Sequence, residues 1–372
     1  MKLTNIAIVL VAASYCVSLP IFANTPSDYL TKENMSMNQI DEYWTPERMK
    51  NAQAEPIPTV DTRVVQELDK KTLDAQQHLA KEFGMGAAPS IQLDNIGIQL
   101  YKPDAKSLSN TSPADRGTSK EEFSSSRLVP LSADLSYPYS TVGKLFFTKP
   151  GVGDFVCSAS VLRPRVLVTA GHCVHKGSSG SEGFFTNFKF VPAFRDGAAP
   201  YQTWNWSYVI VTGTWATGGG GVPNAADYAM FEMRDNNIAG FQRKIGSITG
   251  YLGYQTLSLM PNHAHLLGYP CNLDSCQKMH QVTAQSAKSV SPNNVEYGSD
   301  MAGGSSGGPW VQNFGTYALG QTGGQNSGLN RVIGITSYLY TNGTALAEGS
   351  SIPDSRFISI LNTVCAHRAG NC

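Results

Sequence analysis

Two short strings far apart in the chain carry the residues best suited to chemistry. Residues 169–173 read Thr-Ala-Gly-His-Cys, and residues 303–309 read Gly-Gly-Ser-Ser-Gly-Gly-Pro. A serine hydroxyl is a poor nucleophile at neutral pH, so it needs an imidazole to accept its proton and amide donors to bind the oxyanion that forms. Glycines beside a serine allow the sharp turn that directs such amides outward. The pattern predicts a serine hydrolase with His172 as the base and Ser306 as the nucleophile.

The third member of the site should be a carboxylate that fixes the tautomer of the imidazole. Asp227 is the acid expected in this role, because it is the sole acid in the otherwise apolar stretch 225–231, where an ionised group needs a partner. Asp196, Asp235 and Asp274 lie in polar stretches and are interpreted as turn residues.

Ser306 has two competitors for the nucleophile. Ser305 is its neighbour, and Ser327 lies in a second glycine-rich stretch. Ser306 is favoured because it is centred in Gly-x-Ser-x-Gly and a Pro-Trp-Val run follows it. The amides of Gly304 and Ser306 would then form the oxyanion hole, and such donors typically lower the barrier by about 3 kcal/mol.

Two other functions compete with this interpretation. An esterase of the α/β-hydrolase type also uses Gly-x-Ser-x-Gly, and Asp354 and His367 follow in its order, but little chain remains after Ser306. A protease-like binding protein that has lost turnover is the non-enzymatic alternative. Candidates for all three catalytic roles are present, which favours activity.

The sequence indicates no metal and no cofactor. His263 and His265 form His-x-His, but no carboxylate or thiol lies nearby at ligand spacing, so they are interpreted as part of a loop on the rim of the fold. The glycines at 218–221 are interpreted as a turn, because they lack the lysine of a phosphate loop.

The charge and composition of the chain limit the kinds of molecule it is expected to bind. The formal net charge is +0 at pH 7, so no basic face for nucleic acid is expected. We expect a monomer that acts on a protein or peptide substrate, without nucleic acid and without stable membrane association. The 36 glycines and 20 prolines are typical of a turn-rich β protein.

The N-terminus has the pattern of an export signal. Lys2 is followed by the mostly apolar run 6–21, and Ala23 is a suitable cleavage point. We therefore expect a signal peptide at 1–23 and a secreted or periplasmic protein. A membrane anchor is the alternative, but the run is short and is interrupted by serines and a proline.

An even number of cysteines remains once Cys16 is removed with the signal peptide, which suggests disulfides in an exported chain. The spacing favours three local pairs, although other pairings stay open. Zinc is the alternative, and the absence of Cys-x-x-Cys argues against it. The expected pairs are Cys157 with Cys173, Cys271 with Cys276, and Cys365 with Cys372.

Residues 24–127 have a higher density of charged side chains than the rest of the chain. They carry about as many charged side chains as the much longer remainder. A helix is predicted over 61–83 from its apolar spacing, and an exposed linker over 104–127 from its Ser, Asn and Lys content. The region is interpreted either as a propeptide or as a retained, partly helical N-terminal extension.

Residues 128–372 consist of short β-type runs separated by Gly, Pro, Asn and Asp clusters, which predicts an all-β domain. A helix is predicted only near the end, over 352–365. The predicted strands are 142–148, 155–162, 166–169, 188–191, 208–211, 228–233, 257–259, 308–312 and 332–340.

From about residue 128 to the end, the chain resembles the chymotrypsin-fold serine peptidases, and most closely their bacterial V8-like, glutamyl-endopeptidase-like branch. The resemblance implies two six-stranded antiparallel β-barrels followed by a C-terminal helix, with the cleft between the barrels. The motifs that carry it are 137–139, 142–147, 169–173, 227–229, 268–270, 303–309 and 334–337.

The resemblance also implies residue roles. His172 and Asp227 would come from the first barrel and Ser306 from the second, and Ser337 would support the aspartate and line the substrate cleft. In the digestive members of the family, an aspartate just before the nucleophile pairs with a freed N-terminal ammonium. Ser305 has that place here and carries no charge, so cleavage near Arg127 would activate by removing a cover.

Specificity is expected from two further positions. Asp300 lies where trypsin-like members place the acid that binds Arg or Lys, which predicts a basic preference unless Asp300 serves only its loop. Glutamate-specific members usually have a histidine just before the strand serine, and this residue is Thr336. Glutamate preference is therefore disfavoured.

Overall fold

A computed structural model of the chain describes residues 28–34, 37–68, 78–96, 116–117, 123–128, 130–317, 326–340 and 346–372. The predicted signal peptide at 1–23 and most of the predicted linker lie outside these residues. The helices are α1 (Met37–Tyr43), α2 (Pro46–Asn51), α3 (Thr62–Leu68), α4 (Gly213–Ala216), α5 (Ile245–Thr249) and α6 (Ser355–His367). Among the described residues, no helix has both the length and the apolar character needed to span a membrane.

Strands make up most of the remaining regular structure. In chain order they are β1 (Tyr29–Glu33), β2 (Gln53–Ala54), β3 (Thr59–Val60), β4 (Phe83–Gly84), β5 (Arg116–Gly117), β6 (Phe123–Arg127), β7 (Val142–Lys149), β8 (Gly153–Arg163), β9 (Val166–Thr169), β10 (Thr186–Pro192), β11 (Trp204–Thr212), β12 (Ala229–Met233), β13 (Asn236–Ile238), β14 (Phe241–Arg243), β15 (Gly253–Gln255), β16 (His263–Gly268), β17 (His280–Val290), β18 (Asn294–Gly298), β19 (Pro309–Gln312), β20 (Arg331–Ile335), β21 (Leu339–Tyr340) and β22 (Ala347–Ser351).

The first lobe is a closed antiparallel barrel. Its strands pair in the order β11, β10, β7, β8, β9, β12, and β12 pairs back onto β11. Apolar runs fill the interior, where Phe188 contacts Trp206 and Phe231 edge-on at ring-centroid distances of 5.3 and 4.9 Å. This barrel confirms the first of the two predicted ones.

The second lobe is a sheet with the strand order β22, β18, β17, β16, β19, β20, β15. Where the chain after β20 meets β22, the described residues show an isolated bridge, Tyr338 to Gly349, rather than a paired ladder. The Ser337 amide also donates to the Gly349 carbonyl (2.9 Å), and the Ile335 amide donates to Ser350 Oγ (2.8 Å). The predicted second closed barrel is therefore not shown. Trp310 is fully buried in the core of this lobe and contacts Tyr297 at a centroid distance of 4.8 Å.

The C-terminal helix is present, with bounds slightly later than predicted. Asp354 caps α6 by accepting a hydrogen bond from the Arg356 amide (2.9 Å). Phe357 and Leu361 are buried, and the helix lies against β11 and β12 of the first barrel.

The N-terminal extension pairs with both lobes. Strand β1 pairs with β11 and β2 with β8 of the first lobe, while β4 pairs with β15 and β6 with β17 of the second. The end of the predicted linker is thus a strand, in which Phe123 packs into the core of the second lobe. The predicted helix 61–83 begins as α3, but its end was wrong, because Phe83 belongs to β4 and pairs with Gln255.

Candidate active site

His172 is held in a tight turn that follows β9. The turn Gly171–Cys173 is a single 3₁₀ turn, and a disulfide joins Cys173 to Cys157 of β8. A side chain at Gly171 would place its Cβ 2.8 Å from Trp215 and 2.9 Å from Asp227 Oδ1. Glycine at this position therefore lets the turn approach the acid closely.

Asp227 binds His172 through both of its oxygens. His172 Nδ1 lies 2.7 Å from Oδ2, and the His172 amide donates to Oδ1 at 2.8 Å. Ser337 also donates to Oδ2, at 2.7 Å, and the Asp227 side chain is fully buried. Since the carboxylate accepts the Nδ1 proton, the lone pair of the imidazole is left on Nε2, which is the atom a general base uses.

Ser306 lies at the contact between the two lobes. Its carbonyl accepts a hydrogen bond from the Ser158 amide (2.7 Å), and the next residue, Gly307, donates to the carbonyl of Thr336 (2.9 Å). His172 Nε2 and Ser306 Oγ are both buried, and neither has a hydrogen-bond partner among the described residues. The structure thus brings the predicted nucleophile to the first lobe, while the bond between hydroxyl and imidazole is not formed.

A segment of the extension, residues 53–60, lies across this site; we call it the covering segment. The amide of Gly304, one of the two predicted oxyanion donors, donates to the carbonyl of Glu55 at 3.3 Å. The Glu55 amide donates to Val156 of β8 at 2.9 Å, and Leu339 donates to the carbonyl of Pro58 at 3.0 Å. Strand β3, at the end of the segment, pairs with β21. The sequence did not indicate this contact.

The Glu55 side chain is also held in place. It forms an ion pair with Lys149 of β7. Burial raises the pKa of the Glu55 carboxyl, against the opposing effect of Lys149. Beside this pair, a cavity of about 570 Å³ is lined by Glu55, Pro58, His172 and Trp215, among others. The space next to the imidazole is therefore partly enclosed by the extension.

The predicted specificity residues surround a buried acid that the sequence did not single out. Glu348 of β22 is fully buried, and the hydroxyls of Ser305 and Thr336 lie within hydrogen-bond distance of its two oxygens (3.0 and 3.2 Å). Asp300 is nearly buried, and its Oδ1 has no partner among the described residues. Residues 345–351 read Ala-Leu-Ala-Glu-Gly-Ser-Ser, and no feature of this stretch indicates a function for Glu348.

The residues of the rival interpretations are used elsewhere. Asp354 binds Arg356 and accepts a hydrogen bond from Tyr228, and His367 lies 2.7 Å from Glu232. Ser327 lines a separate pocket in the second lobe. These contacts leave the esterase interpretation without an acid and a base beside Ser306.

The structure tests two further predictions, the loop at the His-x-His motif and the pairing of the cysteines. The predicted loop at His263 and His265 is wrong, since both belong to strand β16, where His265 packs against Phe314. The cysteines form the three local pairs that the spacing favoured. One cluster with metal-ligand geometry is found in the described ranges, Cys157, His172 and Cys173, and its two sulfurs are joined in a disulfide.

Sequence comparison finds two curated relatives. The chain is 25% identical over 239 residues to a glutamyl endopeptidase of Bacillus licheniformis, a match that covers 59% of this chain and 67% of the relative. It is 22% identical over 188 residues to an extracellular metalloprotease of Bacillus subtilis, covering 50% of this chain and 55% of that protein. The chain thus spans about two thirds of the first relative and about half of the second. No family model matches the chain.

Structure comparison finds serine proteases. A thermostable serine protease, AL20, from an extremophilic microorganism superimposes with a TM-score of 0.51 and 24% identity, covering 62% of this chain and 98% of that one. Protease Anisep from Arthrobacter nicotinovorans superimposes with a TM-score of 0.50 and 27% identity, covering 61% and 96%. The chain is therefore similar in sequence to a glutamyl endopeptidase and in fold to chymotrypsin-fold serine proteases, which confirms both the expected V8-like resemblance and the expected class of enzyme, a serine endopeptidase.

Proposed function

We propose that this chain is a secreted, monomeric serine endopeptidase that works through an acyl-enzyme on Ser306. The observation that carries the proposal is the pair of hydrogen bonds from His172 to Asp227, reinforced by Ser337. A buried carboxylate that accepts from both the backbone and the ring of His172 orients one tautomer of the imidazole.

In the proposed mechanism, Ser306 attacks the scissile carbonyl while His172 Nε2 accepts its proton. The amides of Gly304 and Ser306 bind the oxyanion, and His172 then returns the proton to the leaving amine. Water hydrolyses the acyl-enzyme by the same route in reverse. Asp227 holds the imidazolium that forms in each step. Ser306 Oγ and His172 Nε2 must first come within hydrogen-bond distance of each other. We propose that they do so when the covering segment leaves the site.

The test is labelling with a fluorophosphonate, followed by mass-spectrometric mapping of the modified residue. We expect one adduct, on Ser306, that is lost in Ser306→Ala and strongly reduced in His172→Ala. His367→Ala serves as the control, since the esterase interpretation would use that histidine instead. Labelling of Ser327, or labelling that survives His172→Ala unchanged, would contradict the proposal.

We further propose that residues 1–23 are a signal peptide, that 24–127 are a propeptide and that 128–372 are the mature peptidase. The contacts of the covering segment support this division, because a carbonyl of the extension is bound to one predicted oxyanion donor. Pro56 and Pro58 have no amide hydrogen and fixed φ angles, so the segment is pre-set in an extended form.

The covering segment can be tested by reversing one charge. Glu55→Lys would place a cation against Lys149, so we expect the full chain to label with the fluorophosphonate at least about tenfold faster, since one tenfold step needs only about 1.4 kcal/mol. Glu82→Lys makes the same change at an exposed site of the extension and should leave the rate unaltered. Equal rates for the wild type and Glu55→Lys would count against a covering role.

A preference for Arg or Lys before the cleaved bond is a separate proposal. It is supported by Asp300, whose Oδ1 is buried and unpartnered among the described residues, and an ionised acid in such a place gains from a cationic partner. The glutamyl endopeptidase among the relatives offers it no support. Hydrolysis of peptides that differ only in Arg, Glu or Leu at that position tests it. Preference for Glu, or an unchanged profile in Asp300→Asn, would contradict it.

A further inference from the structure

Behind the predicted oxyanion donors lies a buried carboxyl group to which the mechanism so far assigns no task. Residues 303–306, the oxyanion loop, turn over the side chain of Ser305, which points inward and is fully buried. Glu348 Oε1 lies 3.0 Å from Ser305 Oγ, and Glu348 is itself fully buried. The contact joins the oxyanion loop to β22, a strand more than forty positions later in the chain.

The contacts of the Ser305 hydroxyl leave a place for a proton on Glu348. Ser305 Oγ lies within hydrogen-bond distance of two oxygens, the carbonyl of Ala302 (2.8 Å) and Glu348 Oε1 (3.0 Å). A hydroxyl has one hydrogen, so it cannot donate to both. If Ser305 donates to Ala302, as a turn of the loop favours, the remaining contact is made when a neutral Glu348 donates to Ser305.

The second oxygen of Glu348 is tied to the strand that precedes Ser337. Thr336 Oγ1 lies 3.2 Å from Glu348 Oε2 and also accepts a hydrogen bond from the indole of Trp310 (2.9 Å). Since the indole can only donate, Thr336 is free to turn its own hydroxyl hydrogen to Glu348. A neutral carboxyl group therefore completes a chain of donors that runs from Trp310 to the oxyanion loop.

We propose that Glu348, in its protonated form, is a positioning residue that holds the oxyanion loop in its binding conformation through Ser305. The proposal rests on the serine endopeptidase function above, because it assigns to Glu348 the shape of that enzyme's oxyanion hole. An apolar site that keeps a carboxylic acid neutral so that it can donate a hydrogen bond is an established catalytic device.

The surroundings favour the neutral form. Burial raises the pKa of the Glu348 carboxyl to about 8, and the negative charge of Asp300 adds to the rise. The hydroxyls of Ser305, Thr336 and Ser299 would donate to the ionised form, which lowers the pKa, but this effect is smaller than that of burial. Asp300 is the charged group near it among the described residues. Across the sheet, the strand partner of Glu348 is Tyr297, whose hydroxyl donates to a backbone carbonyl.

The consequence is a pH limit on catalysis. Above pH 8, ionised Glu348 would accept rather than donate, Ser305 would turn away from Ala302, and a buried charge would face Asp300. We expect kcat/KM of the wild type to fall along an alkaline limb near pH 8. Glu348→Gln keeps a donor and cannot ionise, so it should retain activity at pH 7 within a few-fold and lose that limb.

Two further variants separate positioning from simple structural support. Glu348→Ala removes the donor, and we expect a fall in kcat of about 10²-fold with little change in KM, the loss typical of one oxyanion donor. Glu232→Gln is the matched control, a buried glutamate of the first barrel with its own histidine and asparagine partners, and it should leave the alkaline limb in place.

The experiment measures casein hydrolysis from pH 6 to 10 by the expressed full chain with its processed products, with Ser306→Ala as the blank. An alkaline limb that is identical in the wild type and Glu348→Gln would overturn the proposal.

Hydrogen exchange of the amides at 303–307 needs no turnover. Protection of these amides should be lost above pH 8 in the wild type but kept in Glu348→Gln. If hydrolysis is absent and exchange behaves as expected, the proposed function fails while the role of Glu348 stands; unchanged exchange overturns that role.

Discussion

Asp227 is the residue whose contacts define the site most completely. Its two oxygens accept hydrogen bonds from the backbone and side chain of His172 and from Ser337, all between 2.7 and 2.8 Å. In the proposed mechanism Asp227 stabilises the imidazolium and selects the tautomer with Nδ1 protonated, so its charge matters more than its shape.

Replacing Asp227 by Asn should therefore keep the fold and remove the activity. We expect kcat to fall by about 10⁴-fold, since an amide can hold the imidazole in the wrong tautomer. Peptide hydrolysis and thermal unfolding of the same sample measure the two effects. Asp235→Asn, which disturbs an acid paired with Arg165 in the first lobe, is the control and should not reduce the rate of Ser306 labelling. Labelling of Asp227→Asn at the wild-type rate would refute the assignment.

The raised pKa of Glu348 also leads us to expect that the free energy of unfolding depends on pH. Its pKa is raised by burial from 4.5 to about 8, so between these values the folded state binds a proton that the unfolded state has released. The contribution is then complete below pH 4.5 and is lost as pH rises toward 8. Urea unfolding at several pH values should show this decline in the wild type and a weaker one in Glu348→Gln. Parallel curves for the two proteins would contradict the raised pKa.

The candidate catalytic residues His172 and Ser306 were predictable from their neighbours in sequence, whereas the contacts of Glu55 and Glu348 were not. His172 follows a buried strand and adjoins a cysteine, and Ser306 is flanked by glycines, so local pattern carries both predictions. The importance of Glu55 depends on Lys149, and that of Glu348 on Ser305, each far away in the chain. The residues next to the two glutamates in the sequence give no indication of these partners.

At the scale of elements, the turn that presents Ser306 depends on its contact with the first barrel. Gly307 has φ +81°, and a Cβ there would lie 2.1 Å from Thr169 Oγ1 and 2.4 Å from the carbonyl of Ser158. Contacts under 3.0 Å force the backbone apart, so no side chain fits unless the lobes separate at this point. The glycines predicted from chemistry thus also serve packing.

Gly307→Ala should therefore cost both stability and activity. Gly315 is a matched control, because it has φ +82° but open space around its Cβ, so Gly315→Ala reports the cost of the left-handed backbone alone. We expect Gly307→Ala to lower the free energy of unfolding by about 2 kcal/mol more than Gly315→Ala and to prevent labelling of Ser306. Urea denaturation measures the first effect. Similar costs for the two variants would show that the lobe contact at Gly307 is loose.

Strand prediction succeeded in the first lobe and failed in part of the second for a physical reason. Strands β7 to β9 are buried on both faces, so each is a nearly continuous apolar run that can be recognised as a strand from the sequence alone. Strand β17 alternates buried and exposed positions and carries several polar side chains, so its outer face resembles a loop. The strand predicted at 257–259 was wrong, since Leu257 has φ +52° in a turn.

For the whole molecule, the N-terminal extension is part of both sheets. Strand β1 lengthens the sheet of the first lobe, β6 lengthens that of the second, and the covering segment crosses between them. These contacts join residues more than a hundred positions apart, which local sequence patterns do not encode. The proposed boundary after Arg127 therefore falls directly after a paired strand, and processing there requires that strand to leave its neighbour.

Arg127 makes this requirement testable. Its guanidinium forms two hydrogen bonds of 2.7 Å with Asp274, and Leu128 is buried. Because a protease cuts extended, accessible chain, local opening must precede cleavage. We expect trypsin to release a fragment beginning at Leu128 slowly from the wild type. Release from Asp274→Ala should be at least about tenfold faster, since a charge-assisted pair contributes about 1.5 kcal/mol.

The control is Asp196→Ala, which removes an exposed partner of Lys278 and should leave the rate of release unchanged. Intact-mass analysis measures each fragment, and equal release from wild type and Asp274→Ala would mean that the ion pair does not hold the strand closed.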